Sequence, residues 1–134
     1  MKKKRVGVYI IAVIVIILAG IGIAMFSMVG NYRRQVDAIQ INSVDLTKVP
    51  DGTYEGSCKT LLVSVDIKVI VKDHQIKEIE LVSHDNGKGA PAEVIPDRIV
   101  EAQSLDVDVV SGATSSSKVI LKAVENALTR GVGN

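Results

Sequence analysis

The sequence predicts an α+β fold: an N-terminal transmembrane helix followed by a small antiparallel sheet packed with two helices. Three observations predict it. Val6 to Gly30 runs for 25 residues without a charge. Val63, Val65, Ile67, Val69 and Val71 point one way, with Ser64, Asp66, Lys68 and Lys72 between them, the period of a half-buried strand. Val119, Ile120, Ala123, Val124, Ala127 and Leu128 recur at helical spacing and form one apolar stripe. A sheet face and a helix stripe of this kind bury each other.

The N-terminal element follows from length and charge. About 20 apolar residues span a bilayer as a helix, and residues 6–30 exceed that. Lys2, Lys3, Lys4 and Arg5 precede the run, and Arg33 and Arg34 follow it. The positive-inside bias therefore places residues 1–5 in the cytoplasm and the rest of the chain outside it. A cleaved signal peptide has an apolar region of about 7–15 residues ending at a small-x-small site. This run is longer, and Ala19-Gly20-Ile21 and Ile23-Ala24-Met25 are poor sites, so a retained single-pass anchor in the cell membrane is expected. The anchor also explains the bland averages of 47% hydrophobic residues and net charge +1 over 134 residues. Residues 31–134 hold 12 basic and 15 acidic side chains, a net charge of −3. That balance disfavours nucleic acid as a partner. The single cysteine, Cys58, excludes a disulfide scaffold and a multi-cysteine metal site within one chain. It lies too far from the apolar run to be a lipid-anchored N-terminal cysteine.

Residues 31–49 read as a juxtamembrane linker with a short helical piece around Val36 to Ile39. The soluble domain, residues 50–134, opens at the turn signal Pro50-Asp51-Gly52. Tyr54 to Ser57 adds a short strand. The alternating run from Leu62 reverses tightly at Asp73-His74-Gln75 and continues as a second strand from Ile76 to Val82, a β-hairpin. A loop of turn formers, Ser83 to Pro91, leads to a helix from Ala92 to Gln103, with Pro96 limiting its start. Leu105 to Val110 reads as a further short strand. In the final helix Ser115, Ser116 or Ser117 supplies the N-cap, and Arg130-Gly131 closes the C-terminus.

The segment Asp108-Val109-Val110-Ser111-Gly112-Ala113-Thr114-Ser115-Ser116-Ser117 carries the chemistry. It passes through a small-residue turn into a helix N-terminus, where unpaired N–H groups and the positive end of the helix dipole attract a phosphate. Gly112 and Ala113 allow close approach to the backbone. Ser111, Thr114, Ser115 and Ser116 offer hydroxyl donors. No Lys-Ser or Lys-Thr pair completes a Walker-type loop, so nucleotide hydrolysis is unsupported. An ordinary Ser-rich helix cap fits the same residues.

The run Asp108-x-x-Ser111-Gly112-Ala113-Thr114 resembles the flavinylation motif of the FMN-binding domain family. That family includes the C subunit of the sodium-translocating NADH:quinone reductase and the G subunit of the Rnf complex. Asp51-Gly52-Thr53-Tyr54-Glu55-Gly56 is similar to the family's opening Asp-Gly-x-Tyr-x-Gly. The hairpin Ile67 to Leu81 resembles its Val-Lys-Asp-Gly-x-Ile element, and Ala123 to Leu128 its Ala-Val-x-x-Ala-Leu helix. The resemblance covers roughly residues 50–130. It implies FMN attached through its phosphate to the Thr114 hydroxyl by a flavin transferase. Asp108, Ser111, Gly112 and Ala113 are then recognition and packing positions. His74 stands where the family usually has Gly, so the hairpin turn is expected to differ there.

The remaining candidates each have a plainer reading. Tyr54, the one aromatic residue after Tyr32, either stacks on an isoalloxazine ring or packs beside its turn. His84, in the loop with Asp85 and Asn86, either contacts the flavin or is a solvated loop histidine. Lys88 either meets a phosphate or is solvated. His74 and His84 are too few for a metal site. No acid–base pair or activated nucleophile is visible, so an electron-transfer flavoprotein or redox-complex subunit is expected over a stand-alone enzyme. Its partners are a flavin transferase and a membrane or extracellular redox protein. A non-redox anchored module that holds FMN or phosphate without a covalent bond remains a second reading, and an unmodified accessory subunit a third.

Overall fold

The structure, a computed structural model, describes residues 2–85 and 89–133. It divides into two compact units between Arg34 and Gln35. The first is the bulk of a single helix, α1 (Lys2–Asp37), long and apolar enough to cross a membrane. Large apolar side chains from Val6 to Val29 are exposed along it. The expected helical piece at Val36 to Ile39 is in part the last turn of α1, and a 3₁₀ turn follows at Leu46–Lys48.

The second unit is an α+β layer. Its antiparallel sheet has the order β1-β2-β3, with β1 at Gly52–Lys59, β2 at Ser64–Lys72 and β3 at Gln75–Asp85. The alternation in β2 puts Val65, Ile67, Val69 and Val71 on the buried face. Two helices cover that face. α3 (Thr114–Val132) packs over β1 and β2, and α2 (Ile95–Ala102) over β3. Every residue of the predicted α3 stripe is buried. α3 approaches β1 closely at Gly56, where a Cβ would overlap the Ala123 carbonyl oxygen and the Ala127 side chain.

The β2–β3 reversal keeps the left-handed geometry despite its sequence. Asp73 and His74 have φ of 53° and 59°, values that cost a residue with a Cβ on the order of 1 kcal/mol or more. Two tethers from outside the hairpin hold the turn. The Asp73 N–H donates to Asp51 Oδ1 at 2.8 Å, and His74 Nδ1 lies 3.3 Å from the Leu46 carbonyl oxygen. The expected departure at His74 is therefore not seen.

Three other expectations are corrected. Leu105 to Val110 is not a strand. Its backbone groups bond to side chains instead of a sheet neighbour: the Asp108 carbonyl accepts from Arg98 and the Val110 N–H donates to Ser117. The helix expected from Ala92 to Gln103 is a 3₁₀ turn, Ala90–Val94, running into α2, whose first turn contains Pro96. α3 is not closed at Arg130-Gly131 but continues to Val132, with Gly133 as its C-cap.

Residues before Pro50 pack against the same core. Val36 and Val49 are buried. Glu125 of α3 accepts from the Asn42 N–H and from its side-chain amide, both at 3.1 Å, and from Lys122 Nζ at 3.0 Å. Lys122 also donates to the Gln40 carbonyl. Burial alone pushes the Glu125 carboxyl up; the Lys122 and Asn42 donors outweigh it and hold the group below its ordinary value of 4.5.

Two outcomes follow from this packing. Gly56→Ala should lower stability by about 3 kcal/mol or more, read as a shifted urea midpoint, because the rigid helix backbone leaves the methyl no room. The lowered Glu125 group stabilises the fold fully above pH 4.5, and that contribution disappears as pH falls through the depressed folded value. Urea midpoints measured between pH 7 and 3 should therefore fall less steeply in Glu125→Gln than in the parent chain.

Candidate functional site

α3 begins at Thr114, with Ala113 as the N-cap residue at φ −131° and no side-chain cap bond. Ser115, Ser116 and Ser117 lie inside the first turn, so none is the expected cap. The amides of Thr114, Ser115 and Ser116 precede the first intrahelical bond, which runs from the Ser117 N–H to the Ala113 carbonyl at 2.9 Å. Such amides carry the partial positive charge of a helix N-terminus.

The turn before the helix is built by Gly112 and Ser117. Gly112 has φ +80°, in the left-handed region, with open space where a side chain would stand. Ser117, fully buried, closes the segment from inside. Its Oγ accepts from the Val110 N–H at 3.0 Å and donates to the Ala113 carbonyl at 2.8 Å. The Ala113 N–H donates in turn to the Val110 carbonyl at 3.0 Å. Residues 110, 113 and 117 thus form one closed set of hydrogen bonds beneath the surface. Arg98 Nη1 donates to the Asp108 carbonyl at 2.9 Å and fixes the approach to the turn.

This scaffold sorts the motif's side chains. Asp108, Ser111, Gly112 and Thr114 are exposed, Ser115 is half-buried, and Ala113 and Ser116 are buried. Thr114 is therefore an exposed residue at the first helical position, beside three amides that no N-cap side chain satisfies. Two concave surfaces border the motif. One, of about 400 Å³, is lined by Ile41, Leu105, Val107, Val109, Lys118 and Leu121. The other, of about 510 Å³, includes Arg98, Glu101 and Asp108. The residues present fit a phosphate ester on Thr114: the open space at Gly112 admits a bulky group, and the uncapped amides favour its negative charge.

The more distant candidates part company. α3 runs antiparallel to β1: Arg130 donates to the Glu55 carbonyl and Asn126 to that of Ser57. Tyr54 packs on Gly131, and its hydroxyl donates to the Pro50 carbonyl at 2.6 Å. Gly131 lies 17 residues from Thr114, about 25 Å along the helix. The structure does not bring Tyr54 to the motif. His84 lies at the opposite end of the sheet, paired with Val65, the end toward which the N-terminus of α3 points. Its ring is buried, with Nδ1 3.1 Å from Glu93 Oε1, so it is not a solvated loop histidine. Asn86 and Lys88 lie outside the described residues. Burial raises the Cys58 thiol pKa above its ordinary value, which disfavours the reactive thiolate.

Comparison with known proteins bears on what the site holds. A family model described as the FMN-binding domain matches residues 63–129, half of the chain and inclusive of the whole motif. The chain belongs to the FMN-binding domain family. Among relatives, a protein of Treponema pallidum (strain Nichols) described as uncharacterized is 37% identical over 84 residues, covering 60% of this chain and 23% of that protein. The NADH:acrylate oxidoreductase of Vibrio harveyi is 38% identical over 74 residues, covering 52% of this chain and 7% of the enzyme. The chain thus spans less than a quarter of the length of either relative. The crystal structure of the CPE2226 protein from Clostridium perfringens shares the fold, with a TM-score of 0.51 at 22% identity over 62% of this chain and 88% of that one.

Sequence reasoning missed Arg98 and treated Ser117 only as a possible cap. Neither belongs to the motif's recognisable string, and both act on backbone groups. Ser117→Ala leaves the half-buried Val110 N–H without its partner and takes one of two donors from the Ala113 carbonyl, at a cost of about 1–3 kcal/mol. Ser111→Ala, at an exposed position, should change stability by less than about 0.5 kcal/mol. Urea midpoints of the two variants measure the contrast.

Proposed function

We propose that this member of the FMN-binding domain family carries FMN as a phosphate ester of Thr114 and serves as a membrane-anchored, extracytoplasmic electron-transfer module. The observation that carries the proposal is the exposed residue Thr114 at an uncapped helix N-terminus, inside the segment matched by the family model. A flavin transferase would supply the FMN phosphoryl group from a flavin dinucleotide: the Thr114 Oγ loses its proton and bonds to phosphorus as the pyrophosphate bond breaks and the nucleoside monophosphate leaves, so the chain gains FMN less one water. The ester keeps a negative charge beside the amides of Thr114, Ser115 and Ser116, where a helix N-terminus stabilises an anion by about 0.3–1 kcal/mol.

When bound, FMN supplies one- and two-electron chemistry; the protein positions it. Ala113 and Ser116 anchor the turn to the core, Gly112 keeps the approach open, and Arg98 and Ser117 fix the backbone on either side. Tyr54, the one aromatic side chain of the folded unit, lies away from the motif, so little stacking area is offered to a freely dissociating flavin. A covalent bond removes the need for it. α1 holds the module at the bilayer, and the function is to relay electrons between a membrane-side donor and an external acceptor or partner. The family match and the oxidoreductase relative support this reading.

Co-production with a flavin transferase, followed by intact mass measurement, tests it. The parent chain and Thr114→Ser should gain FMN less one water, and Thr114→Ala should gain nothing. Flavin lost on denaturation and desalting would favour non-covalent binding. A reporter fused after Asn134 should be active only outside the cytoplasm.

A further inference from the structure

Two adjacent leucines occupy the tip of the β1–β2 hairpin. The reversal is closed by Thr60 on Val63. The Thr60 N–H donates to the Val63 carbonyl at 2.7 Å, and the Thr60 hydroxyl accepts from the Val63 N–H at 3.2 Å. Val63 turns into the core, while Leu61 and Leu62 are left 48% and 50% exposed. Reversals favour Gly, Asn, Asp, Pro and Ser. Each leucine leaves apolar surface exposed at the reversal of the hairpin. Single exposed apolar residues are ordinary; an adjacent pair at a tip makes a small contiguous apolar surface.

The tip's tether says what covers it. The Leu61 N–H donates to Gln35 Oε1 at 3.2 Å. Gln35 is five residues beyond Gly30, the end of the uncharged run. Five peptide units hold it within about 18 Å of Gly30 in any conformation. The apolar run, about 37 Å as a helix, is longer than the roughly 30 Å hydrocarbon layer, so its end reaches the headgroup region. Lys59, Arg33 and Arg34 are neighbours of the tip or of its tether in sequence and suit anionic headgroups.

We propose that the Leu61–Leu62 tip inserts into the interfacial layer of the lipid bilayer. The inference rests on the reading of α1 as a membrane anchor. It has a consequence for the flavin site. α3 runs antiparallel to β1, so its N-terminus points toward the sheet end that carries the tip. A tip seated in the bilayer turns the Thr114 end of the domain to the membrane, within reach of a membrane-embedded redox partner.

The chain has no tryptophan, so Leu62→Trp introduces a single probe at the tip and Val132→Trp a control at the far end of α3. Each full-length variant is reconstituted into phosphatidylcholine–phosphatidylglycerol vesicles, with and without phosphatidylcholine brominated at acyl carbons 6 and 7. At Leu62→Trp the emission should shift to the blue, and brominated lipid should remove more than half of it. Val132→Trp should show neither change. Resistance to alkaline carbonate extraction reports the anchor separately. A retained chain whose tip probe is quenched no more than the control overturns this proposal alone, whether the tip is bare, covered by protein or covered by a second copy. A chain released by carbonate overturns the anchor reading and this proposal with it.

Discussion

The contact between α3 and β1 at Gly56 is the constraint on which the rest of the folded unit depends. A strand and a helix ordinarily keep the distance their side chains impose. Here the strand offers a hydrogen, and the helix backbone at Ala123 and Ala127 comes down onto it. That closeness lets Asn126 and Arg130 reach the backbone carbonyls of β1. It also lets a core of valine, isoleucine, leucine and alanine fill without a single phenylalanine or tryptophan. With the helix fixed at this crossing, its N-terminus and the motif before it have one place to be.

The segment ahead of β1 depends on the same helix. Glu125 looks like an ordinary charge on a solvated helix face, but Lys122 and Asn42 converge on it and draw residues 40–42 against α3. Such an ion pair contributes through the specificity of its several donors more than through raw attraction, because burial opposes the charge. The hairpin turn at Asp73-His74 follows a related logic. A conformation that neither residue favours persists because Asp51 and Leu46, distant in sequence, hold it.

One-sided burial made the sheet and α3 legible in the sequence. Val63, Val65, Ile67, Val69 and Val71 repeat at the period of a strand and the α3 stripe from Val119 to Leu128 at that of a helix, and all of these are buried. The turn into α3 was legible because Gly112 and Ala113 are the small residues such a turn takes; the structure puts Gly112 at positive φ, buries Ala113 and leaves Thr114 exposed at the helix start. What escaped was set by partners outside the segment itself. Leu105 to Val110 has the composition of a strand, yet its backbone is satisfied by Arg98 and Ser117. Tyr54 sits in an opening resembling the family's, yet packs on Gly131 at the other end of α3. Periodicity reports which face a residue turns; it does not report which end of an element a ligand will occupy.

The hydrogen-bond circuit through Val110, Ala113 and Ser117 turns the motif into a ruler. Each of its bonds fixes a separation along the chain: three residues from Val110 to Ala113, four from Ala113 to Ser117. An insertion or deletion of one residue anywhere in that stretch would break the circuit, whichever amino acids remained. Exchange of an exposed residue such as Ser111 would leave it intact. The segment is thus tolerant in spelling and intolerant in length, and its serine at 117 acts as a full stop placed three residues after the last letter of the recognised word.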